Sequence, residues 1–120
     1  MELFKGIDLN DSFVLFWKVQ PRELRFDLEL SIWPSSEYYV KPKEGEYTCY
    51  RKAHLTFHNC EEINGILDIS QVKPSTDANG EVDYGNIDTL VKTDNGYSVY
   101  GDFGNVAIVG GKMELEVIKI

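Results

Sequence analysis

Between Leu24 and Ile32 every second residue is apolar: Leu24, Phe26, Leu28, Leu30 and Ile32 interleave with Arg25, Asp27, Glu29 and Ser31. A β-strand sends successive side chains to opposite faces, so this run has one oily face and one wet face. The step of about 100° per residue in a helix would scatter the same apolar residues around the axis. The chain must therefore build a sheet with a core side and a solvent side. Ser12 to Val19, rich in β-branched and aromatic residues, reads as a second strand. Gln20-Pro21-Arg22-Glu23 separates the two, and Pro21 presets a turn while offering no N–H to a ladder, which predicts a hairpin.

The same period continues downstream. Tyr47, Cys49, Ala53, Leu55 and Phe57 share one parity, interrupted by Arg51; Thr48, Tyr50, Lys52, His54, Thr56 and His58 share the other. The first set is expected to face the core and the second the solvent. Asn59 to Gly65 reads as a turn, with Glu61-Glu62 opening at most one short helical turn, and Ile66 to Val72 as a further strand. Lys73 to Asp83 is a loop of turn-forming residues. Ile87 to Lys92 and Tyr97 to Phe103 flank Asp94-Asn95-Gly96, where Asn-Gly suggests a type I′ hairpin. Gly101 and Gly104 signal a bulge or a close approach of backbones. Val106 to Val109 and Met113 to Ile120, joined by Gly110-Gly111, read as a final hairpin. No amphipathic helix longer than about two turns is visible. The expected architecture is a single all-β domain over residues 1–120, an antiparallel sandwich or barrel of about eight short strands. The pattern does not separate sandwich from barrel.

The length of 120 residues and the 42% hydrophobic content suit one core. Twenty acids against 12 bases give a formal charge of −8. That balance disfavours nucleic acid and anionic membrane surfaces as partners and favours a basic protein, although simple solubility is also served by it. No apolar run reaches the roughly 18 residues of a membrane span. Met1-Glu2-Leu3-Phe4-Lys5 does not resemble a secretory leader, so a cytoplasmic location is expected. Cys49 and Cys60 match no zinc or redox spacing and are expected to be reduced thiols.

The residues that carry chemistry are sparse. There is no nucleophile elbow and no phosphate-cradling glycine loop; Gly101-Asp102-Phe103-Gly104 shares letters with a kinase motif in a chain far too short to be a kinase. Asp77-Ala78-Asn79-Gly80-Glu81-Val82-Asp83 is acidic, but its spacing is wrong for a calcium loop, so its carboxylates read as solvated. His54 and His58 would stand about 13 Å apart on a regular strand, too far for one metal. Neither a metal nor a cofactor is expected. The aromatics are more informative. Trp33 and Tyr50 lie on the polar parity of their strands, and Tyr38-Tyr39 lies in a loop; Trp and Tyr dominate interface hot spots. Trp33, Tyr38, Tyr39 and Tyr50, together with Asp77, Glu81 and Asp83, form the candidate binding set.

Asp11-Ser12-x-Val14, followed about ten residues later by the alternating strand Leu24 to Ile32, resembles the opening of small all-β bacterial domains. Some of these are immunity proteins of polymorphic toxin systems. The resemblance covers the first quarter of the chain and transfers no functional residue. It implies a cytoplasmic, non-catalytic inhibitor that neutralises a cognate toxin by protein–protein interaction. The alternatives are a β-barrel that encloses a small molecule, with Arg51 on the core parity as an anion anchor, or a small enzyme. A structural domain that pairs exposed strand edges into a homodimer is a third reading.

Overall fold

A computed structural model describes residues 2–119. The described residues form eight strands: β1 (Ile7–Gln20), β2 (Glu23–Ile32), β3 (Cys49–Ile66), β4 (Ser75–Thr76), β5 (Val82–Asp83), β6 (Ile87–Thr93), β7 (Gly96–Gly101) and β8 (Gly104–Val117). Six of them make one antiparallel sheet in the order β1-β2-β3-β8-β7-β6, and β4-β5 is a separate small ribbon. The all-β, antiparallel expectation holds. The strands are not all short, since β1 and β8 each run 14 residues and β3 runs 18.

The long strands explain the shape. The first part of β3 pairs with β2 from Cys49↔Ile32 to His58↔Glu23, and also with β8 from Ala53↔Val117 to His58↔Lys112. Beyond Cys60 it leaves β2 and follows β8 into a second half, where β8 also pairs with β7 from Gly104 to Val109. At the crossing point both strands bend, and a bulge follows directly, between Cys60 and Glu62. Asn59 takes a left-handed φ of 59°, and opposite it Gly110 and Gly111 have φ of 72° and 86°. Bends and bulges of this kind let strands switch from one sheet direction to another. The opposite corner is closed by β1. Val14 N–H donates to Gly85 O at 2.8 Å, and Tyr84 N–H donates to Val14 O at 2.7 Å. The curled sheet is thus barrel-like, with its two edges bridged at Val14.

Asn59 to Gly65 is not a turn and holds no helical turn, because left-handed Asn59 and Gly65 (φ 90°) are accommodated as irregularities within one bent strand. The bend at Asn59 reverses the parity of β3, which is why Cys60 is buried. Ile66 to Val72 is not a strand; Asp68 caps a 3-10 turn over Ile69–Gln71 by accepting from Ser70 N–H. Gly110-Gly111 bends β8 instead of ending it. The Asp94-Asn95 hairpin forms, but Asp94, Asn95 and Gly96 are all outside the positive-φ region, so it is not type I′. Gly96 has a different role: a Cβ there would collide with Ile108 O. Tyr47 precedes β3 and is 77% exposed, not a core residue.

The core lies between the two halves. Phe26, Phe57 and Phe103 are fully buried, with Phe26 and Phe103 ring centroids 4.7 Å apart, and Leu24, Leu28, Leu30, Leu55, Val14, Val99 and Val106 fill in around them. Each such side chain contributes roughly 1.5–3 kcal/mol on leaving water. Trp17 packs edge-on against Phe103, and its indole N–H donates to Leu67 O at 2.8 Å, so it is a core residue. Both cysteines are buried free thiols. The outer face of β2, β3 and β8 carries Arg25, Asp27, Glu29, Lys52, His54, Glu114 and Glu116. This polarity is the reverse of the apolar belt of a membrane-spanning barrel. Among the described residues no helix is long and apolar enough to cross a membrane.

Candidate functional site

A groove of about 690 Å³ lies on the outside of the barrel. Its floor follows from strand register. Phe13 on β1 stands opposite Glu29 on β2, and Glu29 stands opposite Lys52 on β3, with Tyr50 two residues along on the same face. One wall is the stretch 40–47, part of the long β2–β3 connection. The other is the tip of the β4-β5 ribbon, with Asp77, Asn79 and Glu81.

The geometry of β1 makes this floor. Asp8 pairs with Ser31 and Phe13 with Glu29, so β1 spends five residues where β2 spends two. The surplus bulges outward. Ser12 holds its base: its buried hydroxyl donates to Asp8 O at 2.7 Å and accepts from Ser31 N–H at 2.9 Å. Ser31 is thereby buried although it lies on the wet parity. The bulge carries Asp11 to the groove rim, where Asp11 Oδ2 accepts from Tyr47 Oη at 2.8 Å, and Tyr47 Oη accepts from Tyr50 Oη at 2.9 Å. Burial and this donated hydrogen bond push the Tyr50 phenol well above its ordinary range. Tyr50 is a fixed hydrogen-bonded wall and not an acid.

The opposite wall is held by Asp77. Its Oδ1 accepts from Asn79 N–H at 2.8 Å and Glu81 N–H at 2.9 Å, which closes the ribbon's tip. Glu81 and Asp77 then face Glu29, as does Glu46 from the first wall. Burial first, and then repulsion by Glu81, raises the Glu29 carboxyl above its usual value; Lys52 offsets this only in part. The groove is also lined by Lys41, Lys43, Arg51 and Lys119.

The candidate set divides. Tyr50, Asp77 and Glu81 come together in the groove. Trp33, Tyr38, Tyr39 and Asp83 do not line it. Trp33 lies just beyond β2, 49% exposed, its N–H donating to Gly6 O. Tyr38 and Tyr39 are half-buried against the core. Asp83 Oδ1 accepts from Gly85 N–H at 2.8 Å and so shapes the corner at Val14. A surface shared by Trp33, Tyr38, Tyr39 and Tyr50 is therefore not formed in this groove. Arg51 spends both terminal nitrogens on carbonyls, Tyr38 O and Ile118 O, each at 2.8 Å, so it ties the β2–β3 connection to the end of β8.

Phe13, Glu29 and Glu46 are not singled out by sequence, whereas Lys52 belongs to the polar face of the Tyr47 to His58 strand, which sequence offers as a binding surface together with the acidic loop Asp77 to Asp83. Glu29 and Lys52 sit on the wet parity of recognisable strands, but their pairing depends on a register that the connection of residues 33–48 leaves open. The same is true of His54, whose Nδ1 lies 2.7 Å from Asp27 Oδ1, with Arg25 Nε 3.1 Å from the same oxygen. A carboxylate that orients a histidine is part of general-base machinery. Here it stands on the outer face of the barrel, and neither residue lines the groove. Among the described residues no group of three or more His, Cys, Asp or Glu is placed to hold a metal ion. No known family model matches this chain, and no curated protein or solved structure matches it.

Proposed function

We propose that this chain is a non-catalytic binding protein that takes a basic segment of a partner protein into the outer groove. The carrying observation is the crowding of Glu46, Asp77 and Glu81 around half-buried Glu29. Carboxylates gathered in this way repel one another, and a Lys or Arg side chain laid among them relieves the repulsion. Phe13 and Tyr50 offer aromatic surface on which the stem or head of that side chain would rest. In its most concrete form the partner is a basic toxin and the chain its immunity protein. The likeness of Asp11-Ser12-x-Val14 to such domains supports this, as does the charge of −8, which would accelerate encounter with a basic surface.

The rival reading, a small molecule enclosed by the barrel, is less well supported. Phe26, Phe57 and Phe103 fill the interior, and Arg51 is engaged with carbonyl groups. The test uses the blocked peptide acetyl-Lys-Arg-Lys-amide at millimolar concentration, followed by amide and side-chain chemical shifts. Binding is expected to move Phe13, Glu29, Tyr50 and Glu81, and the double variant E29Q/E81Q should weaken it about tenfold and flatten its salt dependence. Shifts confined to other surfaces, or affinity indifferent to the double variant, would refute the groove as the binding site.

A further inference from the structure

The second half of β8, Lys112–Val117, has a partner strand on one side only. β7 pairs with β8 no further than Gly96↔Val109, and β3 pairs with it up to Ala53↔Val117. The direction of the free backbone groups follows from one hydrogen bond. Ile118 N–H donates to Lys52 O at 2.9 Å. In an antiparallel ladder hydrogen-bonded pairs alternate with non-bonded ones, so Glu116, Glu114 and Lys112 bond to β3, and Met113, Leu115 and Val117 turn their N–H and C=O groups away from it. No backbone bond from those three residues to another segment occurs among the described residues. Their side chains are half-buried against the core, while Lys112, Glu114 and Glu116 are exposed on the outer face. The free edge of β3 beyond Cys60 differs, because irregularities at Cys60/Glu62 and Asn64/Ile66 break its regularity. Bulges are a common way of blunting an edge. The β8 edge between the Gly110-Gly111 bend and Ile118 has no such irregularity.

We propose that this edge accepts an extended strand from another protein, one that alternates Lys or Arg with small apolar residues. The added strand would bond to Met113, Leu115 and Val117, lay its apolar side chains beside theirs, and set its basic side chains against Glu114 and Glu116. A second copy of this chain fits poorly. Antiparallel self-pairing through the free groups would have to match Met113, Leu115 and Val117 among themselves. Leu115 opposite Leu115 puts Glu114 opposite Glu116 twice; Met113 opposite Leu115 puts Glu114 opposite Glu114; Leu115 opposite Val117 puts Glu116 opposite Glu116. Like charges directly opposed destabilise a strand pair, so every register that pairs two or more of these three residues is penalised. The inference concerns a surface separate from the Glu29 cluster and stands whether or not the groove binds.

The experiment uses the whole chain and the blocked peptide acetyl-Lys-Val-Lys-Val-Lys-Val-Lys-amide, with the Glu-for-Lys peptide as control, and reads residue-resolved amide exchange. The Lys peptide should slow exchange at Met113, Leu115 and Val117 at least severalfold, and the control should not. E114K/E116K should remove the protection at these three amides, and E29Q/E81Q should leave that protection intact. L115P removes one outward N–H without touching the β3 ladder and should abolish the protection; should it fail to fold, the charge-reversed variant still decides. Unaltered exchange at the three amides overturns the proposal, and so does protection that the control peptide gives equally. A chain that is already dimeric through this edge, with the three amides protected before any peptide is added, also overturns it.

Discussion

Replacing Ser12 by Ala removes one hydroxyl and almost no volume, which makes it a clean probe of the β1 bulge. Two interactions disappear. Ser31 N–H loses the acceptor it meets at 2.9 Å, and Asp8 O loses a donor at 2.7 Å. Ser12 and Ser31 are both only 2% exposed, so water does not readily replace the lost oxygen. A buried donor left unsatisfied costs about 1–3 kcal/mol, and the loss at the carbonyl adds roughly 0.5–1 kcal/mol since it keeps a second lone pair. The expected destabilisation is about 2–3 kcal/mol, worth roughly 6–12 °C in Tm for a domain of this size. Urea unfolding of S12A beside the parent protein gives the number. Amide exchange at Ser31 should accelerate in step, and the phenol of Tyr47, placed by Asp11 on the same bulge, should change its environment. A loss below about 0.5 kcal/mol with unaltered exchange at Ser31 would refute the idea that this hydroxyl stands in for a missing rung of the β1-β2 ladder.

Two further outcomes are expected. Gly111→Ala should destabilise by about 1–3 kcal/mol because φ is 86° and a Cβ would sit 3.0 Å from His58 O and 2.9 Å from Cys60 Sγ; Gly80→Ala, with φ 82° and open space around it, should cost about 1 kcal/mol or less, so denaturant midpoints of the pair separate clash from conformation. Glu29→Gln should raise Tm at pH 7. The folded carboxyl titrates above its ordinary value of 4.5, so the stability that protonated Glu29 contributes is fully present below that value and is lost as pH rises through the folded pKa. The advantage of Gln should therefore shrink as pH falls toward 4, and an advantage independent of pH would contradict the crowding described around Glu29.

The strand from Leu24 to Ile32 could be read directly, since all five apolar residues on one parity are buried. Its hairpin with β1 was equally plain in Pro21. What the alternation could not convey was the use made of Gly and Asn. Asn59 and Gly110-Gly111 carry the same local chemistry whether the chain reverses or merely bends, and the difference lies in pairing between residues about fifty positions apart. Such a bend also inverts parity, which moved Cys60 inside against the period set by Thr48 to His58. For the groove, Tyr50, Asp77 and Glu81 were visible as residue types on a wet face and in an acidic loop. Glu29 and Phe13 were not, because an outward acid and an aromatic become neighbours of a distant turn only after β1 has closed onto Tyr84 and Gly85. Trp33 illustrates the converse: its exposure was readable, but exposure alone did not place it in a concavity.

β3 and β8 run unbroken through both halves of the molecule and change direction together at Asn59 and Gly110-Gly111. Neither half therefore owns a complete set of strands, and pulling one apart would tear the ladder that supports the other. Heat or denaturant should dissolve such an object in a single step, without a half-molten stage. Its assembly must wait for chain segments far apart in sequence to meet, which argues for folding on the slow side for a protein of this length.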